Sequence, residues 1–179
     1  MSGGNLKEQT RVIRLETPIS EEVVRGLAVG DFVEISGIVL CGRDAVLPKL
    51  VALAESGDNG AILSLLHGAV IFHTAVSPAG IGPTTSNKVE IEGSIPVLSK
   101  AGVKIHLGKG ALNPDTVAAL KAANSVFAIT PPTTAYFSEK IISKKVVMFP
   151  EEGMEALYEI RVEGLPAIIA IAHGESIFK

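Results

Sequence analysis

The sequence predicts an α/β fold, a single layered domain of mixed, largely parallel strands with flanking helices, over residues 10–179. Three observations point to it. Apolar residues make up 47% of the chain but aromatics only 4%, with no Trp, so Val, Ile, Leu and Ala must build the core, a composition that suits parallel strands covered by helices. Runs with the strand period of two alternate with runs of helical spacing along the whole length. The connections are short, with no internal repeat, no low-complexity tract and no linker long enough to divide the chain. Residues 1–9 are expected to be a flexible N-terminus.

Val12 to Leu15 reads as a short strand, and Ser20-Glu21-Glu22 as an N-cap followed by two acids that favour a helix start, the helix running to about Val29-Gly30-Asp31. Phe32 to Leu40 alternates apolar with polar positions, the pattern of a half-buried strand, and Cys41-Gly42-Arg43-Asp44 follows it as a loop. From Ala45, the positions Val46, Leu50, Leu53 and Ala54 recur at helical spacing, with Pro48 tolerable in the first turn and Gly57 to Gly60 as the end. Ala69 to Val76 is a β-rich run that delivers the chain into a Gly/Pro/Thr loop, Ser77 to Thr85. Ser94-Ile95-Pro96 offers a cap with Pro soon inside, predicting a short helix to Gly102. Then come a strand at Val103 to Leu107, the loop Gly108-Lys109-Gly110 and a helix started by Asn113-Pro114-Asp115. Strands are expected at Ser125 to Ile129, Val146 to Phe149 and Ala167 to Ala172, with helices at Tyr136 to Ile142 and Met154 to Ile160.

Charge and cysteine count exclude several functions. A net charge of −3 with few aromatics argues against a nucleic-acid surface, which needs clustered positive charge and stacking rings. No stretch approaches the ~20 apolar residues that cross a bilayer, and Met1 to Asn5 lacks the basic start of a secretory signal, so a cytoplasmic protein is expected. Cys41 is the lone cysteine, and His67, His73, His106 and His173 lack the spacing of a zinc helix, so no metal ligand is expected in this chain. His73 and His106, inside apolar strands, read as satisfied core or interface histidines. No Gly-x-Ser-x-Gly elbow supports a hydrolase.

Ligands in α/β folds gather where loops leave the carboxyl ends of strands, which singles out three loops. Arg43 could grip a carboxylate with two parallel hydrogen bonds, or simply solvate its loop and pair with Asp44. Gly80-Ile81-Gly82-Pro83-Thr84-Thr85-Ser86 joins accessible amides to three hydroxyls ahead of Lys88. It suits an anion, or equally a tight connection that caps a helix. Gly108-Lys109-Gly110 lacks the spacing of a nucleotide-binding loop, which leaves Lys109 as an exposed turn residue or a point charge for a carboxylate.

Taken in order, Gly42-Arg43-Asp44-Ala45, Gly-Pro-Thr-Thr-Ser and Gly-Lys-Gly resemble the C-terminal, or beta, region of iron–sulfur class I fumarases, a region that L-tartrate dehydratases share. The likeness continues through Gly30-Asp31, Phe149-Pro150-Glu151-Glu152-Gly153-Met154-Glu155-Ala156 and Leu165-Pro166-Ala167, about residues 10 to 178. The resemblance implies a fold of the swivelling-domain type and a beta subunit of a hydro-lyase that hydrates fumarate reversibly to L-malate. The implied enzyme is active only with an alpha subunit that carries a [4Fe–4S] cluster. Homodimerisation within a hetero-oligomer is expected. It also implies that Thr84 takes part in proton transfer and that Arg43, Thr85, Lys88 and Lys109 bind the small dicarboxylate. The cysteine count agrees independently, since one thiol cannot hold a cubane in the usual way. Lys88 departs from the family, where Arg is common four residues after the threonine; it keeps the charge and loses the bidentate fork. The alternatives are an L-tartrate dehydratase beta subunit and, from another class, a non-catalytic dicarboxylate-binding or assembly module.

Overall fold

The computed structural model describes residues 12–57, 60–77, 80–84, 88–130 and 140–178. The expected flexible residues 1–9, Thr85 and all but the end of the expected helix Tyr136 to Ile142 lie outside them. The elements run β1 (Val12–Glu16), α1 (Glu21–Arg25), β2 (Phe32–Cys41), α2 (Leu47–Glu55), α3 (Gly60–Leu66), β3 (Val70–Phe72), β4 (Thr74–Ser77) and β5 (Gly80–Thr84). They continue with α4 (Lys88–Lys100), β6 (Ile105–Gly108), α5 (Pro114–Ala122), β7 (Val126–Ile129), β8 (Ile141–Met148), a 3-10 segment η1 (Pro150–Glu155), β9 (Leu157–Ala172) and β10 (Glu175–Ser176).

Strands β2, β3, β6 and β7 are parallel neighbours in that order, and β9 runs antiparallel to both β7 and β2, so the five strands close into a ring. Closure leaves no open edge among them and gives each strand an inner and an outer row of side chains. The inner row includes Val33, Ile35, Val39, Val70, Phe72, Ile105, Leu107, Val126, Ala128, Ile160 and Ile169, buried in one cluster. The outer row meets the helices. Leu40 and Ile71 pack against Leu47, Leu50, Ile62, Leu66 and Leu98 of α2, α3 and α4, while Phe127, Ala170 and Ile171 pack against Ile91, Ile95 and Leu120 of α4 and α5.

Local chemistry sets several boundaries as the sequence suggests. Ser20 accepts from the amide of Val23 at 3.1 Å, and Asn113 from that of Thr116 at 2.9 Å, each satisfying one of the orphan donors of a helix start. Pro48 and Pro114 fall in first turns. At the opposite end of the ring from the loops of interest, Lys104 is 5% exposed; its Nζ pairs with Glu21 at 2.6 Å and donates to the carbonyl of Ala123 at 3.0 Å beyond α5.

Elsewhere the elements differ from expectation. Helix α1 stops at Arg25 with Gly26 as its cap, earlier than Val29. Helix α3 occupies 60–66, where no helix was expected. Ala69 to Val76 is two strands: β3 belongs to the ring, whereas β4 pairs antiparallel with β5 in a separate hairpin, so the expected Gly/Pro/Thr loop is partly a strand. Helix α4 starts at Lys88 and carries Pro96 in its interior. Proline there forfeits one backbone bond and costs about 3 kcal/mol, which burial of Ile91, Ile95 and Leu98 offsets.

The expected helix Met154 to Ile160 is a correction. Met154, Leu157 and Ile160 have helical spacing, but the chain makes a 3-10 turn and then enters β9, where Ile160 and Val162 are buried and Arg161 is exposed. Strand β9 is sixteen residues long and absorbs the expected last strand, and Ile141 and Ile142 belong to β8, not to a helix. Alternation of strand and helix is thus interrupted at α2–α3 and at β3–β4–β5, and after β7 the elements of the described residues are only strands and the 3-10 segment.

Candidate active site

The parallel order β2, β3, β6 places three loops at one end of the ring. Arg43 follows β2, with the amide of Gly42 donating to Phe72 O at 3.1 Å, and His73 follows β3, its amide donating to Leu107 O at 3.0 Å. Lys109 follows β6. Arg43 and Lys109 thus leave strands separated by β3 alone, about 10 Å between strand axes. Thr74, just past β3, is paired with Thr84 across the hairpin, so the backbone of Thr84 returns to the same end. Helix α4 opens there at Lys88. Of the expected site residues, Arg43, Lys109 and the backbones of Thr84 and Lys88 converge on this end; Thr85 lies outside the described residues.

Lys109 is exposed and, among the described residues, has no ion-pair partner. Arg43 is engaged by an acid distant in the chain. Glu155, the last residue of η1, accepts from its Nε at 2.7 Å and also from its Nη2. The preceding acids hold η1 to α2: Lys49 Nζ lies 2.6 Å from Glu152, 3.5 Å from Glu151 and 5.3 Å from the ring centre of Phe149. The bond to Glu152 holds the Lys49 ammonium above its ordinary pKa. In the sequence this acidic motif carries the family resemblance but no assigned role. Its signal was the run of three acids around Gly153, which adopts φ 60 and ψ −123, a turn that glycine permits.

Behind the rim, alternation puts Ile71, His106 and Phe127 in one outward row. His106 Nδ1 is 3.0 Å from His73 Nε2, and its own Nε2 is 2.9 Å from Ser99 Oγ on α4. Both rings are fully buried. Burial lowers the His73 pKa to about 4, against a smaller opposing pull from Asp44, and burial with the neighbouring His73 lowers that of His106 well below its ordinary value. The pair is neutral at pH 7. The sequence reads both as satisfied core or interface histidines, but His73 Nδ1 is buried with no hydrogen-bond partner among the described residues.

No group of three potential metal ligands occurs among the described residues. Cys41 sits in the inner cluster, and burial pushes its thiol pKa far up, so it offers no thiolate. These residues do not fit an iron–sulfur cluster. What this end of the ring offers, among the described residues, is the positive charge of Arg43 and Lys109, suited to an anion.

The family model "Fumarase C-terminus" matches residues 2–179. A Geobacillus stearothermophilus protein named "Putative fumarate hydratase class I" is 33% identical over 183 residues, covering 94% of this chain and 34% of the relative. The L(+)-tartrate dehydratase subunit beta of Escherichia coli K12 is 28% identical over 176 residues, 91% of this chain and 85% of that subunit. The anaerobic class I fumarate hydratase of the same strain is 28% identical over 144 residues, 76% of this chain and 26% of the enzyme. The chain spans about a third of the first of these relatives and most of the tartrate dehydratase subunit. Match and geometry together make this chain a member of the fumarase C-terminus family, whose named relatives are hydro-lyases.

Proposed function

We propose that the chain is the beta subunit of a two-subunit class I fumarate hydratase, hydrating fumarate reversibly to L-malate. The observation that carries this reading is the exit of Arg43, Thr84 and Lys109 at one end of the ring, from strands that share a family match over residues 2–179. Arg43 and Lys109 hold a carboxylate of the diacid and offset the negative charge that develops on the neighbouring carbon as it loses a proton. Thr84 relays that proton. A free hydroxyl is too weak a base, so a carboxylate of the alpha subunit activates it. Lys88 and Thr85 complete the binding rim. The [4Fe–4S] cluster belongs to the alpha subunit, because this chain has no thiolate set for it. The working enzyme is then a cytoplasmic hetero-oligomer in which beta subunits pair.

A second reading, the beta subunit of an L-tartrate dehydratase, is supported by similarity: a subunit so named is 28% identical over 91% of this chain. A non-catalytic binding or assembly module is the third reading, and convergence of Arg43, Thr84 and Lys109 argues against it. The test is anaerobic mixing of the chain with its iron–sulfur partner and assay on fumarate, malate and L-tartrate. Faster turnover of malate than of tartrate is expected. Preference for tartrate selects the second reading, and full activity without a partner overturns the subunit assignment.

A further inference from the structure

The proposed chemistry leaves the Phe149–Ala156 motif without a task, yet its last acid touches the rim. Glu155 Oε1 accepts from Arg43 Nε at 2.7 Å and from Nη2. A guanidinium carries five N–H donors in a planar fork. Glu155 takes the side edge formed by Nε and Nη2, and Nη1 makes no hydrogen bond to any described residue. The edge left over, Nη1 with the second proton of Nη2, can still meet a second carboxylate with two parallel bonds. The two side chains are 29% and 31% exposed, half-buried at the opening and not free in solvent.

The carboxylate that does this is itself fixed. Lys49 ties η1 to α2 through Glu152 and Glu151 and lies over Phe149. The amide of Ala156 donates to Gly153 O at 3.1 Å, closing the turn directly before β9. One anchored element therefore carries an acid whose geometry sets the direction of the fork on another loop, 112 residues away in sequence.

We propose that Glu155 is a positioning residue: it holds Arg43 by one guanidinium edge so that the other edge meets a carboxylate of the diacid. This rests on the proposed function. The test uses the complete chain combined with the alpha subunit. Glu155→Ala is expected to raise KM for the preferred diacid by at least about tenfold while kcat changes by less than about threefold, since binding of a carboxylate is what the hold serves. Glu155→Gln, which keeps an accepting oxygen and loses the charge, is expected to fall between and reads the same KM should the alanine variant fail to fold.

Chemical rescue adds a readout that a merely structural role would not move. Guanidinium ion added to the Arg43→Ala complex is expected to restore part of the turnover, because Glu155 still receives it, and to restore none in Arg43→Ala/Glu155→Ala. An active wild-type complex with unchanged KM in both Glu155 variants, or equal rescue with and without Glu155, overturns the inference alone. A wild-type complex that turns over no diacid overturns the proposed function and the inference with it.

Discussion

Two lysines bracket β6, five residues apart, and the fold treats them in opposite ways. Lys104, at the amino end, is 5% exposed and locked between Glu21 and the backbone beyond α5, where a cation also complements the helix carboxyl terminus. Lys109, at the carboxyl end, is exposed and without an ion-pair partner among the described residues. The amino end of the ring is closed by paired charge, and the carboxyl end leaves charge available. Residue type alone says nothing about which lysine stabilises and which binds; strand polarity does, because in parallel strands the loops that accept ligands follow the carboxyl ends.

The sharpest way to break the comparison is to remove the closed charge. Lys104→Ala leaves the carbonyls of Ala123 and Asn124 without this donor and Glu21 without its ion pair. Loss of a nearly buried, charge-assisted set costs about 2 kcal/mol. The expected outcome is a clear fall in unfolding free energy by urea titration, with KM of the assembled complex unchanged. A raised KM with unaltered stability would reverse the roles of the two ends.

The buried Ser99–His106–His73 line is the carboxyl end's exception, polar yet closed, and acid tests it. His73 has its folded pKa depressed to about 4 from an ordinary 6.5. The unfolded chain therefore binds the extra proton first, and stability rises with pH across this window. The contribution is complete above about pH 6.5 and is lost as pH falls toward 4. At pH 5 the loss from His73 alone is about 2 kcal/mol, at roughly 1.4 kcal/mol per unit below 6.5. His106 shifts in the same direction and steepens the slope. Replacing both rings, as His73→Phe/His106→Leu, removes the paired polar groups together and is expected to flatten stability between pH 7 and 5. An unchanged slope would show that other groups carry it.

Much of this was legible in the sequence, for reasons that depend on locality. Ser20, Pro48 and Asn113 act through their own backbone neighbours, so their helix starts could be read directly. Arg43 and Lys109 could be located because β2 is an alternating run and β6 a short run, each with a loop behind it. What was not legible depends on partners distant in the chain. Met154 to Ile160 has helical spacing, and only the pairing of β9 with β2 and β8 makes it a strand. Ser94-Ile95-Pro96 reads as the start of a short helix, and only the packing of Ile91 and Ile95 shows that the helix begins at Lys88 and carries Pro96 in its interior. Closure of the ring by an antiparallel strand and the grip of Glu155 on Arg43 are contacts that no local period encodes.

The smallest energies separate the two ends most cleanly, because they concern function without stability. Lys109→Ala removes an exposed charge that contacts no described acid, so its unfolding free energy is expected to stay within about 0.5 kcal/mol of wild type. Its kcat/KM in the complex is expected to fall at least tenfold, a loss of about 1.4 kcal/mol in transition-state stabilisation. Arg43→Ala is expected to lose at least as much, with a slight further cost in stability because Glu155 loses its partner. Running Lys104→Ala and Lys109→Ala through the same urea titration and the same assay gives a crossed result if the ends differ as argued: one variant moves only the midpoint and the other only the rate. If Lys109→Ala leaves turnover intact, the open charge at the carboxyl end is solvation alone, and if Arg43→Ala leaves it intact as well, the non-catalytic module becomes the better reading.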